Sequence, residues 1–368
     1  MKNNLEEKIN VLSESFKKVL YTDDVKFLDN MENNNLGGDD ISKYRFWEWT
    51  QGVGLYGFWK LFQHTKNTYY LETLEKYYEE RFKEGLPSKN INTTTPMLTL
   101  ANLCEFNKNP TYLDACISWA EWIMHELPRT KEGGFQHMTS DTLNDQELWD
   151  DTLFMTVLFL AKMGKMTDNR AYIEEAKYQF LLHIKYLAHA KTGLWYHGWT
   201  FNGSHNFVKA LWGRGNCWVT MAIPEFIEMI ELEDSMKKYL MHTLERQVIS
   251  LRKFQNEEGM WHTLIDDKES YAESSATAGF GYGILKACRL GILDEKYRKV
   301  ALKAIEPILK RIDKDGVVKQ VSYGTPMGRD HKDFYKNIPL EPMPYGQALA
   351  LLFFIEGLMY QDANKKAQ

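Results

Sequence analysis

The sequence predicts an all-α (α/α)6 barrel, six helical hairpins closed into a toroid, and three observations carry that reading. Glycine and proline are few, 24 and 10 among 368 residues. Long segments repeat apolar residues three and four positions apart, the spacing of one helix face. The helical stretches also come in pairs, and a second periodicity lies between the pairs.

Taken in order, helices are expected at 3–21, 42–65, 69–84, 95–106, 110–127, 148–163, 169–189, 213–232, 236–254, 273–289, 294–312 and 344–360. Pro110 suits a first helical turn, Gly164 closes one helix, and Asp168 opens the next. The stretches beginning near 42, 95, 148, 213 and 273 are each followed by a second helix, as antiparallel hairpins require. The segment 344–360 then pairs with 3–21 to complete a sixth unit. Between hairpins a glycine opens a short run: Gly133-Gly-Phe-Gln-His137, Gly193-Leu-Trp-Tyr-His-Gly-Trp199, Gly259-Met-Trp-His262 and Gly316-Val-Val-Lys-Gln-Val-Ser-Tyr-Gly324. A repeat of about 60 residues exceeds ordinary helix-pair solenoid units and favours a closed ring over an open superhelix. Every such run joins an outer helix to the next inner one, so all emerge at one end of the barrel. That mouth would gather His137, Trp195, His197, Trp199, Trp261 and His262 with the starts of the inner helices, Trp149, Asp150, Asp151, Arg214 and Glu273. No linker or composition shift divides the chain, so residues 1–368 read as a single catalytic-sized domain.

Composition narrows the function. Lys plus Arg number 45 and Asp plus Glu 50, a net charge of −5 without a basic block, which argues against a nucleic-acid partner. No window approaches the apolar length of a membrane span, and MKNNLEEKIN lacks the apolar core of a secretory signal, so a cytoplasmic protein without a membrane partner is expected. The four cysteines show no CxxC pair and read as buried thiols. The 11 Trp, 20 Tyr and 19 Phe either line a sugar-binding cleft or fill a large helical core.

The most informative segment is Glu147-Leu-Trp-Asp-Asp-Thr-Leu-Phe-Met155, where two carboxylates open a helix beside Trp149. Asp at a helix start serves as a cap, worth about 0.5–2 kcal/mol, and one cap suffices. The alternative is a general acid whose pKa is lifted by surrounding rings. Adjacent helix residues point about 100° apart, so one of the two faces the cavity. In Leu211-Trp-Gly-Arg-Gly-Asn-Cys-Trp218, Arg214 either clamps a substrate carboxylate while Trp218 stacks on a ring, or ties the loop to a buried carboxylate. His197 either contacts substrate or is a packed histidine. No histidine pair has zincin spacing, so no metal is expected, and phosphate-loop, dinucleotide and nucleophile-elbow motifs are absent.

ELWDDTLFM, GLWYHGWTFNG, WGRGNCWV, ESSATAGFGYG and MPYGQALALL, in this order from about residue 45 to 360, together resemble the unsaturated rhamnogalacturonyl hydrolases of glycoside hydrolase family 105, relatives of the family 88 unsaturated glucuronyl hydrolases. The resemblance implies an (α/α)6 barrel that removes the terminal Δ4,5-unsaturated uronic acid from small lyase-generated oligosaccharides, with no cofactor. It also implies Asp151 as the general acid and base. Trp149 and its neighbour Asp150 would border the unsaturated sugar. His137, His197 and Trp199 would bind it, and Arg214 with Trp218 would hold its polar and flat faces. Many relatives carry an Asp where this chain has Asn92, which removes a charge near the acid and puts that subsite in question.

Two other readings remain on sequence grounds. The same toroid could carry a family 88-type activity on ulvan or glycosaminoglycan fragments, or a sugar epimerase using paired histidines. A helical scaffold binding a protein is the third, but it gives no reason to gather Asp, His, Arg and Trp at hairpin mouths. A monomer or weak homodimer is expected.

Overall fold

In the computed structural model, residues 2–366 are described. The chain begins with α1 (Lys2–Val19), α2 (Val25–Asn34) and α3 (Ile41–Tyr44). Next come α4 (Trp49–Thr65), α5 (Thr68–Glu84), α6 (Ile91–Asn107) and α7 (Pro110–His125). A strand β1 (Glu147–Trp149) leads through a π-helical turn, Leu153–Val157, into α8 (Leu158–Met166) and α9 (Arg170–Leu187). After β2 (Gly198–Thr200) follow α10 (Gly213–Met229), α11 (Asp234–Phe254) and α12 (Ser274–Arg289). The chain finishes with α13 (Arg298–Lys303), α14 (Ile305–Lys310), α15 (Asp333–Lys336) and α16 (Pro344–Lys366).

Helices α4, α6, α8, α10, α12 and α16 form the inner ring, each packed on the next, with α16 returning to α4. Outside them, α5, α7, α9 and α11 back α4, α6, α8 and α10, while α13 and α14 back α12. Helix α1 backs α16, so the sixth hairpin is closed by the two ends of the fold, as the pairing of 3–21 with 344–360 predicts.

Residue type explains the layering. An inner helix has neighbours all round and is buried all round: Val53 through Trp59 of α4 are buried without a gap. An outer helix buries one stripe, as α5 does with Tyr70, Leu74, Tyr77 and Tyr78. Close approach of α12 to both neighbours needs its glycines. A Cβ on Gly283 would lie 2.3 Å from the Thr220 carbonyl oxygen of α10, and one on Gly281 would lie 2.3 Å from the Phe353 ring of α16.

Several expectations are corrected. The helix expected at 42–65 splits, with α3 ending at Tyr44 and α4 starting only at Trp49, where the Glu48 side chain caps it. The helix expected at 294–312 breaks at Ala304, because Pro307 has no N–H to bond residue 303. Asp168 does not open α9; it takes φ +52°, and Asn169 supplies the cap. Trp149, Asp150 and Asp151 do not lie in a helix that starts at 148. Trp149 belongs to β1, which pairs antiparallel with β2, and the two aspartates occupy the turn before the π-helical segment.

The glycine-led runs are tight hairpins whose first residues, Gly133, Gly193, Gly259 and Gly316, all have φ between +72° and +102°. Two positions after each glycine, Phe135, Trp195, Trp261 and Val318 are buried. Trp195 and Trp261 are therefore wedges between the helix layers and not part of the mouth. His262 is half-buried and turned toward the Ser270 carbonyl. His137, four residues after its glycine, has passed the wedge and lines the mouth, whereas His197 at the same offset is buried beside Asp151 and does not line the cleft, so it is not placed to bind a sugar directly.

The inner helices are parallel. Residues at the N-terminal ends of α4, α6, α10 and α16 line the mouth, while Lys60, Glu225, Lys286, Arg289 and Glu356 cluster at the opposite ends. There Glu225, 2% exposed, accepts from Tyr56 (2.8 Å) and Tyr282 and faces Lys60 and Lys286, each at 3.3 Å. All four cysteines are buried and unpaired. Among the described residues no helix is long and apolar enough to cross a membrane.

Candidate active site

The mouth opens into a cleft of about 460 Å³. Of the adjacent acidic pair, Asp151 lines this cleft with its side chain 15% exposed, whereas Asp150 is fully buried behind it. The β1–β2 ladder sets this division: Trp149 pairs with Gly198, and the Asp150 N–H donates to the His197 carbonyl at 3.1 Å. The π-helical turn that follows widens the start of the inner helix, a distortion common at functional sites.

Neither Asp150 oxygen makes a well-formed hydrogen bond, so this carboxyl is not spent as an ordinary cap. Burial, and then the Asp151 carboxylate, push Asp150 well above the usual carboxyl range, so it is the last of the pair to release its proton. Burial also raises Asp151, against the lowering effects of the Asp150 proton, the Arg214 charge and the Trp218 indole. Both shifts favour the protonated carboxyl beside the cleft.

Gly215 makes the buried carboxyl possible. A Cβ there would lie 2.4 Å from one Asp150 oxygen and 2.5 Å from the other. Gly215→Ala is expected to displace Asp150, lower stability by about 1–3 kcal/mol and depress turnover about tenfold or more, measured by thermal unfolding and steady-state rates.

Two histidines flank the pair. The His137 ring stacks on Trp149 with centroids 4.3 Å apart, and its Nδ1 lies 2.8 Å from Thr152 Oγ1. His197, 1% exposed, packs edge-on against Trp149 and 4.2 Å from the Trp212 ring, with Nε2 3.8 Å from Asp151 Oδ2. Burial holds His137 down at about 3. Burial, then His137, Arg214 and Arg329, hold His197 well below its ordinary range, so both rings are neutral.

Arg214 lines the cleft but its guanidinium is engaged in structure: it donates to the carbonyls of Ser322 (3.0 Å) and Tyr323 (3.1 Å), to Thr325 Oγ1 (3.0 Å), and lies 3.9 Å from buried Glu273. It lies over the Trp212 and Tyr345 rings. Tying the loop to a buried carboxylate is therefore its observed role. Trp218 is fully buried under Asp151 and presents no face to the cleft. Trp199 lies outside the cleft wall, packed 4.9 Å from Tyr186. Asn92 lines the cleft in the first turn of α6 and bonds the Glu48 carboxyl. Burial lifts that carboxyl to about 7. The acidic group absent at 92 thus has a neighbouring carboxyl at the N-cap of α4.

Sequence reasoning missed Glu48, Trp49, Tyr335, Tyr345 and Arg329. Trp49 stacks on Tyr345 at 4.6 Å, and Arg329 grips Glu147 at 2.8 Å, whose other oxygen accepts from the Trp149 indole. Tyr335 and Arg329 lie in a segment without periodicity, while Glu48, Trp49 and Tyr345 sit near the starts of expected helices, where periodicity does not tell which side chain enters the cleft. One atom each of Asp150, Asp151 and His197 comes within 4.8 Å, a set that could hold a cation. The proton on Asp150 competes for the same place.

Residues 25–361 match the family profile of Glycosyl Hydrolase Family 88. The unsaturated rhamnogalacturonyl hydrolase YesR of Bacillus subtilis is 31% identical over 315 residues, 85% of this chain and 90% of that protein. A solved structure from Salmonella enterica serovar Paratyphi A, described as a possible member of the GH105 family, is 44% identical with TM-score 0.90, covering 98% of this chain and 94% of that one. The unsaturated glucuronyl hydrolase of Bacillus sp. GL1 shares the fold, with TM-score 0.68 at 16% identity over 95% of both chains.

Proposed function

The chain belongs to glycosyl hydrolase family 88, and we propose that it removes the terminal Δ4,5-unsaturated uronic acid from lyase-generated oligosaccharides of rhamnogalacturonan or pectin type. In this reading it is a single catalytic domain over residues 1–368, monomeric or weakly dimeric, cytoplasmic, and without metal or organic cofactor.

The observation that carries the reading is a desolvated carboxyl, Asp151, at the wall of a ring-lined cleft with a second, proton-bearing carboxyl directly behind it. Ordinary glycosidases need two carboxylates across the scissile bond. An enol ether needs one. Asp151 gives its proton to C4 of the double bond, and the positive charge develops at C5. The carboxylate left on Asp151 is steadied by the Asp150 proton, the Arg214 charge and the Trp218 indole, the groups that lower its pKa. It then takes a proton from water as that water adds to C5. The resulting hemiketal opens to a 4-deoxy-5-keto sugar acid and frees the aglycone. Trp149 and His137, stacked face to face, both line the cleft, and such rings suit an unsaturated sugar with a planar half.

An epimerase would work through an acid–base pair of histidines. His137 and His197 are both held neutral by burial, and His262 lies away from the cleft, which weighs against that chemistry.

The test follows the ultraviolet absorbance of the double bond on lyase products of rhamnogalacturonan, pectin, ulvan and chondroitin in turn. Absorbance is expected to fall with the rhamnogalacturonan or pectin fragments. A fall only with ulvan or chondroitin fragments would move the substrate to those polysaccharides, and no fall with any of them would overturn the reading. An excess of chelator should leave the rate unchanged, since the Asp150 proton occupies the position a cation would need.

A further inference from the structure

We propose that Tyr335 is a positioning residue that holds His197 in the tautomer with hydrogen on Nε2, aimed at Asp151. The inference rests on the proposed role of Asp151, but its central observable does not depend on any substrate.

Tyr335 sits on the one-turn helix α15, fully buried, in the segment that follows the loop held by Arg214. Its hydroxyl oxygen accepts from the Gly328 N–H at 3.1 Å, a backbone donor that cannot reverse its role. The hydroxyl hydrogen therefore has two acceptors in reach, the Met327 sulfur at 3.8 Å and His197 Nδ1 at 2.7 Å. The nitrogen is far the better acceptor. Burial pushes the phenol further up, so it keeps that hydrogen. Nδ1 is then the bare nitrogen of a neutral ring and Nε2 carries the hydrogen.

Nε2 is buried, makes no other hydrogen bond, and faces Asp151 Oδ2, which also has none. At 3.8 Å the two do not yet bond directly. The tautomer decides what happens when they close up. With hydrogen on Nε2, the ring donates to the Asp151 carboxylate formed after proton transfer to carbon, and it has no lone pair there to take the proton first. With hydrogen on Nδ1, the Nε2 lone pair would face protonated Asp151 and sequester its proton. A tyrosine hydroxyl from another part of the chain thus sets whether the acid is available.

Protein labelled with 15N at histidine is examined by long-range 1H–15N correlation, without substrate, as wild type and as Tyr335→Phe. The wild-type His197 ring should show a bare Nδ1 and a protonated Nε2; a protonated Nδ1 overturns the proposal, whether or not the variant folds. In Tyr335→Phe the ring should become a mixture of tautomers, and an unchanged ring overturns it. Kinetically, kcat in Tyr335→Phe should fall about three- to tenfold with KM unchanged, the scale of one neutral hydrogen bond. In a His197→Asn background the tyrosine change should cost nothing more. A shifted tautomer with unaltered kcat, or full additivity in the double variant, sinks the positioning role even if the hydrolase reading stands.

Discussion

Asp151→Asn is expected to lower kcat by about 10²–10⁴-fold, the usual contribution of a positioned acid–base group, with KM and fold nearly unchanged. The isosteric amide keeps the volume of the side chain and its place in the cleft but cannot deliver or accept the proton. Stability should not fall. A carboxyl whose pKa is raised by burial stabilises the fold most when protonated, below its unfolded value, and that contribution is lost as pH rises through the folded value. Any charge on Asp151 is costly in this buried place, and the amide removes that cost. The measurements are the absorbance-based rate on an unsaturated oligosaccharide and the thermal unfolding midpoint. Retention of more than about a tenth of wild-type kcat would remove Asp151 from its role.

The second large effect is one of stability at the far end of the barrel. Glu225 lies eleven residues after Arg214 on α10, about 16 Å along the axis. Burial alone would raise its pKa, yet Lys286 and Lys60 outweigh that and hold it at about 2. Glu225→Gln leaves two buried ammonium groups short of a counter-charge, and breaking a buried pair this way costs about 3–5 kcal/mol. The unfolding midpoint should drop by about 5 °C or more, while KM and kcat measured well below it stay as in the wild type. The wild-type protein should show the linked pH dependence. A depressed carboxylate contributes fully above its unfolded pKa near 4.5, and that contribution drains away as pH falls toward 2. The Gln variant, lacking the group, should show a shallower loss over the same acid range. Equal unfolding midpoints for the two proteins at neutral pH would contradict this account.

The ring was legible because its period is written in the chain: paired helical stretches, positive-φ glycines about 60 residues apart, and small residues on α12 where neighbours approach. The acidic pair was legible as a pair, and the rule that one of two neighbours faces the cavity agrees with the placement of Asp151 in the cleft and Asp150 behind it. Its local structure was not legible. Periodicity reads Glu147–Met155 as a helix start, but three residues join a ladder with Gly198–Thr200, a contact made across about 50 residues that no local pattern encodes. Trp195 and Trp261 were assigned to the mouth from their place in the glycine-led runs, whereas an extended run leaving a turn buries its second residue before it reaches open space. Arg329 went unread because it comes from a segment without regular structure, and Glu48 and Tyr335 because a helix cap and a one-turn helix carry no periodicity, so only tertiary contacts fix their direction.

The parallel arrangement of the inner helices has a consequence beyond any single side chain. Each helix carries a partial positive charge at its amino end, equivalent to roughly half a proton, and the ring delivers these ends to a common rim. A neutral sugar gains little from such a field, while a carboxylate is drawn toward it over distances at which no hydrogen bond acts. The architecture itself thereby favours acidic sugars, and the residues on its rim need only choose among them.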